Sequence, residues 1–216
     1  MKRVFGKVEA IFDVLYLVIA LIIGVFLILS STGNTIRLLA GIMALTLSIG
    51  DAFHLVPRIL SIITNKIELF RYSLGRGKQI TSITMTVFYI LLWNIGISIY
   101  TLNNIEFITY IIYFLSFIRI ILCLLPQNRW IDRYPPVIWG IWRNIPFFIL
   151  GILVAVIFFM NRLNSPNFEL AWLAILLSFA FYLPVVLWSN KNPKIGMLML
   201  PKTLMYLWIL IMCLSI

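Results

Sequence analysis

Apolar residues run along this chain in long blocks, broken by short clusters of basic residues, prolines and asparagines. A membrane-spanning helix needs about 20 consecutive apolar residues. Seven windows qualify: Val8–Leu29, Thr35–Pro57, Ile80–Tyr100, Ile105–Leu125, Val137–Met160, Leu170–Trp188 and Ile195–Ile216. None shows the strict alternation of a barrel strand. The pattern therefore predicts an all-α integral membrane protein, a seven-transmembrane helix bundle with residues 1–216 forming one polytopic domain. The first block follows a basic Met-Lys-Arg start but outruns a signal peptide and lacks a small-residue cleavage site, so it reads as a retained helix with the chain beginning at Met1. Helices 1–3 and 5–7 would share an orientation. Helix 6, with Phe181-Tyr-Leu-Pro-Val185, nonetheless carries no counterpart of Asp51 or His54, so no repeat is read.

Composition agrees: 62% of residues are hydrophobic and only 11% charged, too apolar for a soluble domain. A net charge of +10 raises the question of nucleic acid, but position answers it. Of the 17 Lys and Arg residues, all but Arg37 and Arg162 fall in or beside alternate connections, which by the positive-inside rule predicts a cytoplasmic amino terminus and an outside carboxyl terminus. Topology and contact with anionic membrane lipids account for the excess, with no nucleic-acid partner. Abundant Ile, Lys and Asn suggest a bacterial source with an AT-rich genome, hence a multi-pass protein of the cell inner (plasma) membrane. Cys123 and Cys213 lie inside spans and read as small hydrophobes. Trp130, Trp139, Trp142 and Trp188 read as an inner aromatic belt. All prolines but Pro166 fall near the expected cytoplasmic ends. Freed backbone groups are tolerated there only against protein or water, so the inner half is the expected place for a cavity.

The candidate chemistry sits at the same depth. In Gly50-Asp-Ala-Phe-His-Leu-Val-Pro-Arg58, Asp51, His54 and Arg58 are spaced three and four apart, on one face of helix 2. Ionisable groups inside a membrane are costly and mark functional sites. Helix 3 would present Lys78, Ser82, Thr86, Tyr89 and Trp93 along a facing stripe, helix 4 brings Ser116 and Arg119, and helix 5 opens with Arg143-Asn144. Asp51 and His54 are the candidate catalytic pair; Arg58, Ser82, Thr86, Tyr89, Arg119, Arg143 and Asn144 are candidate substrate-binding residues. Whether Asp51 is a proton donor or an anion paired with Arg119 or Arg143 stays open in the sequence, and a charge cluster that only fixes packing is the competing account.

Several other features read as structural. Glu9 and Asp13 read as carboxylates complementing a wet helix amino terminus. Ile59–Phe70 reads as an interfacial helix or an extension of helix 2, and Gly75-Arg-Gly-Lys78 as a turn entering helix 3. Lys202 reads as an interface anchor. One histidine cannot build a zinc site, and no Gly-x-Ser-x-Gly or phosphate-loop motif occurs. No metal or cofactor is expected.

The segment Ser48-Ile-Gly-Asp-Ala-Phe-His, then Leu74-Gly-Arg-Gly-Lys-Gln and Phe88-Tyr-Ile-Leu-Leu-Trp, resembles the lysoplasmalogenase (YhhN-like) family of multi-spanning lipid hydrolases over about residues 36–95. That family carries a Gly-Asp pair closing one helix and a Gly-containing entry to the next. The resemblance implies a hydrolase of lipid ether bonds with a phospholipid or lysolipid ligand, and it places Asp51 at the family's acidic position. A family histidine is missing across Ser82–Met85, as is a later carboxylate, and the helix count is one lower. Two other classes fit the residues alone: a proton-coupled carrier or receptor for an amphipathic anion, and a membrane-embedded accessory subunit.

Overall fold

The computed structural model describes residues 2–216, with side chains from Gly6 onward apart from Pro193. Met1 and the side chains of Lys2 and Arg3, which figure in the reading of a retained basic start, lie outside the described residues. Seven long helices follow one another: α1 (Lys2–Leu29), α2 (Thr35–Thr64), α3 (Arg71–Ile99), α4 (Glu106–Leu124), α5 (Val137–Met160), α6 (Ala171–Trp188) and α7 (Met199–Cys213). Short 3-10 turns at Ile67–Phe70, Pro126–Asn128, Arg162–Asn164, Pro166–Phe168 and Pro193–Leu198 join them. No strand occurs among the described residues. All seven helical spans are long and apolar enough to cross a membrane.

The helices pack in chain order, each on the next, and α7 closes back onto α1 while α3 also meets α5. Apolar side chains that face outward, such as Ile22, Phe26, Phe107, Phe114 and Phe117, remain exposed. A bilayer, not water, suits such a surface. The interior is interlocked by rings: Tyr89 meets Phe147 edge-to-face at 5.1 Å, and Phe88 meets Tyr206 at 5.5 Å.

Three helices run past their hydropathy windows, α1 by starting at Lys2 and not Val8. α2 continues through Pro57 to Thr64 and α3 starts at Arg71, so the first half of Ile59–Phe70 extends α2 and its last four residues form a 3-10 turn. Apolar windows stop at the first charges, but charged residues are good helix formers outside the hydrocarbon. Asn65, at φ 57°, ends α2 in the left-handed conformation that asparagine tolerates. The Gly75–Lys78 segment is helical as well, which corrects its reading as a turn. Its glycines serve close approach: a Cβ on Gly77 would overlap the Phe53 carbonyl oxygen, and one on Gly75 would come within 2.6 Å of the Trp130 carbonyl. Phe53 O is the acceptor that Pro57, lacking an N–H, leaves unused in α2. Thr81 Oγ1 donates to Gly50 O at 2.9 Å on the same seam.

Candidate functional site

α2 turns one stripe inward. Ala40, Met43 and Leu47 on it are buried, whereas Asp51, His54 and Arg58 further along are partly accessible. α3 repeats the change: Tyr89 and Met85 are buried, Ser82 is partly accessible and Lys78 exposed. The inward faces thus become accessible at the end of the bundle that carries Arg58 and Lys78, its vestibule, and are buried at the level of Leu47 and Tyr89.

Asp51 stands one turn from the buried Leu47. Its Oδ2 accepts a hydrogen bond from Tyr16 Oη of α1 at 2.7 Å, and Tyr16 is 2% exposed. Of the two possibilities the sequence leaves open, pairing of Asp51 with Arg119 or Arg143 is not seen among the described residues. Those side chains find other partners. Arg119 Cζ lies 3.1 Å from the Phe147 ring centroid and its Nη2 donates to Ser82 O at 3.3 Å. Arg143 stacks on Trp130 at 4.1 Å and donates to Asn128 Oδ1 at 2.8 Å. His54 is not brought onto Asp51 either: the charges that act on it belong to Lys78, Arg58 and Lys202, and its Nδ1 is buried without a partner.

Arg58, at the mouth, forms a two-pronged pair with Glu9 at 2.7 and 3.3 Å. Glu9 and Asp13 sit in the third and fourth turns of a helix that begins at Lys2, and Asp13 is buried at 5% exposure. The first-turn dipole reading of these carboxylates fails on that count. Three expected ligand-binding groups have hydroxyl or amide donors committed to their own helices. Ser82 Oγ donates to Lys78 O, Thr86 Oγ1 to Ser82 O and Asn144 Nδ2 to Gly140 O, at 2.8, 3.1 and 2.7 Å. Thr86 and Tyr89 are fully buried and form floor, not wall. Asn144 Oδ1 accepts from Tyr182 at 3.1 Å, fixing a ring of the wall.

The sequence reading missed several contributors. Lys202 is no interface anchor: it is buried, with its Nζ 4.3 Å from the Tyr182 ring centroid and 5.3 Å from that of Tyr206. Its position in α7 is in phase with the buried Tyr206, Ile209, Leu210 and Cys213, a signal that hydropathy alone ignores. Trp130 leaves the aromatic belt and joins the rim, where its Nε1 and the Gln79 amide both donate to Cys123 O. Asn128, fully buried, caps the end of α4 through Leu122 O and Leu125 O. Together with Arg71 Nε on Ile131 O, these bonds strap the α4–α5 connection across α3.

Chemically, the vestibule is a basic funnel. Basic groups outnumber carboxylates at this end, where Glu9, Asp13 and Asp51 also lie, and the described residues hold only two ion pairs, Arg58–Glu9 and Arg71–Glu68. No group of three or more His, Cys, Asp or Glu side chains among the described residues is placed to hold a metal ion. Comparison of the chain with protein-family models, curated proteins and solved structures finds no match.

Proposed function

We propose that this is a multi-pass membrane protein whose vestibule opens to the cytoplasm, receives an amphipathic anion of the lysolipid type and hydrolyses its ether bond. The observation that carries the reading is the position of Asp51: a carboxylate one turn from the buried Leu47, steered on one oxygen by Tyr16 and leaving Oδ1 for a proton. For a vinyl ether, proton transfer from Asp51 to the outer vinyl carbon gives an oxocarbenium ion. Water adds to it, and the hemiacetal collapses to a fatty aldehyde and a glycerol hydroxyl while Asp51 regains its proton. The basic wall holds the headgroup anion. His54 takes the part of a polar wall group.

The test is aldehyde release from a lysoplasmalogen by the detergent-purified protein. Asp51→Asn keeps shape and hydrogen bonding but loses the transferable proton, so turnover is expected to fall by about 100-fold or more, the range of general acid catalysis, with melting temperature little changed. No aldehyde from the unaltered protein, or equal turnover by Asp51→Asn, overturns the enzyme. The carrier reading is favoured by one feature, the prolines inside α2, α5 and α6 at Pro57, Pro146 and Pro184, and uptake without aldehyde would select it.

Orientation is testable separately. Thr32→Cys and Asn164→Cys, both on exposed connections away from the vestibule, are expected to react with an impermeant thiol reagent on intact cells, and Asn190→Cys only after permeabilisation. Buried Cys123 and Cys213 give little background. The opposite pattern overturns the cytoplasmic opening.

A further inference from the structure

On its outward side α2 lies recessed between α1 and α3, and the recess is a groove. Its main cavity, about 710 Å³, is lined by Val18 and Leu21 of α1, Ile49, Phe53 and Val56 of α2 and Ile80 of α3. A second cavity of about 350 Å³ shares Ile49 and Phe53 with it and continues along α2 to Ile42. From Pro57 to Ser48 the main cavity runs roughly 14 Å at 1.5 Å per residue, the depth of one leaflet, about half of a hydrocarbon core roughly 30 Å thick. The hydroxyls along the groove are committed to backbone carbonyls: Thr46 to Ile42 O at 2.8 Å, Ser48 to Leu17 O at 3.2 Å and Thr84 to Thr81 O at 3.2 Å. Carbon is left as its surface. The end beside Pro57 differs. Tyr72, Ser73 and Arg76 of α3 line it, with Arg76 Cζ 5.7 Å from the Tyr72 ring centroid and Nη1 donating to Gln79 Oε1 at 3.0 Å. Neither ion pair among the described residues includes Arg76, so no carboxylate neutralises it there. Helical phase sets the groove on the opposite side of α2 from Asp51 and Arg58.

We infer that the groove binds one anionic glycerophospholipid, with an acyl chain laid along α2 between α1 and α3 and the headgroup phosphate on Arg76. A guanidinium pairs with phosphate oxygens through two parallel N–H donors. The tyrosine beside it has an apolar ring and a polar tip, which suits the boundary between tails and headgroups. A zwitterionic lipid offers the same phosphate but carries its own cation next to it, so a net-anionic head is the one that Arg76 selects. A second copy of the chain fits the groove less well. In a dimer about an axis along the membrane normal the same patch faces itself, which sets two Arg76 charges against each other at one depth. The lipid supplies the opposite charge. This site is separate from the vestibule and stands whether or not the vestibule is catalytic.

Native mass spectrometry of the full chain, released from detergent with added dioleoylphosphatidylglycerol or dioleoylphosphatidylcholine, reads the first bound lipid. Phosphatidylglycerol is expected to bind about 10-fold tighter, the ratio that one charge-assisted hydrogen bond supplies. Arg76→Gln is expected to erase that preference while leaving phosphatidylcholine bound as before. Ile49→Trp puts an indole where the two cavities meet and is expected to abolish retention of either lipid. Ile22→Trp, on an exposed face of α1 outside the groove, is expected to bind both as the unaltered protein does. If Ile49→Trp does not fold, Val18→Trp on the α1 wall replaces it. Equal binding of the two lipids by the unaltered protein, or an undiminished preference in Arg76→Gln, overturns the headgroup site. Unchanged retention in the groove-filling variant overturns the groove. A dimer that the same variant dissociates would assign the groove to a second copy and overturn the lipid.

Discussion

Phe147→Ala is expected to lower the unfolding free energy by about 3 kcal/mol, the low end of the range for deleting a buried phenylalanine. Phe147 is 2% exposed and its ring touches Tyr89, Phe179 and Tyr182 at centroid distances of 5.1, 5.0 and 6.4 Å. In a bilayer the unpacked helix faces lipid tails as apolar as the core, so the loss is mainly of packing contacts and not of transfer from water. That places the effect at the low end. The same ring is the surface on which the Arg119 guanidinium rests. Phe147→Leu keeps most of the volume and removes the π face, so it is expected to cost about 1 kcal/mol of packing yet to weaken anion binding as Phe147→Ala does. Thermal unfolding and calorimetric titration of the two variants check this; equal anion affinity in all three proteins would detach Phe147 from the site.

Gly77→Val is expected to cost about 3 kcal/mol or more, the upper end for overpacking, and to lower the yield of monodisperse protein sharply. The side chain would enter the space of the Phe53 carbonyl and the His54 Cα. Backbone atoms inside a helix cannot rotate away, so α2 and α3 must separate. Separation removes the Thr81–Gly50 bond on the same seam and carries His54 and Lys78 apart. Gly196→Ala is the control, because a Cβ there meets nothing within 4 Å; its melting temperature is expected to match the unaltered protein. Size-exclusion profiles and thermal unfolding in detergent read both, and a Gly77→Val protein as stable as the control would mean that the seam yields.

The bounds of α5 were legible to the residue, because Val137 follows a Pro-Pro pair and the apolar run ends at Asn161. The inward phase of Asp51, His54 and Arg58 was legible too, since spacing alone fixes it. What the sequence hid was partnership. Asp51 meets Tyr16 from a helix read only for its carboxylates, and Arg58 meets Glu9 from the same helix; which residues of two antiparallel helices lie level depends on their register, which periodicity does not contain. Lys202 was misread because depth was judged by distance from the nearest charge, whereas its phase with Tyr206 and Ile209 decided its burial. The ends of α2 and α3 were hidden for a related reason: hydropathy marks where lipid ends, and a helix may continue beyond it.

The vestibule spans only part of the bundle, and above it the interlocked rings of Tyr89, Phe147, Phe179 and Tyr206 leave a dry plug. An electric potential across a membrane drops where the medium is insulating. On the proposed reading the drop is concentrated in the plug, so an anion entering the vestibule from its open end moves through nearly constant potential. Passage beyond it would meet the whole drop, roughly 2.3 kcal/mol per charge for each 100 mV. A site built this way can fill and empty at the same rate in energised and de-energised cells, and the membrane keeps its charge while it does so.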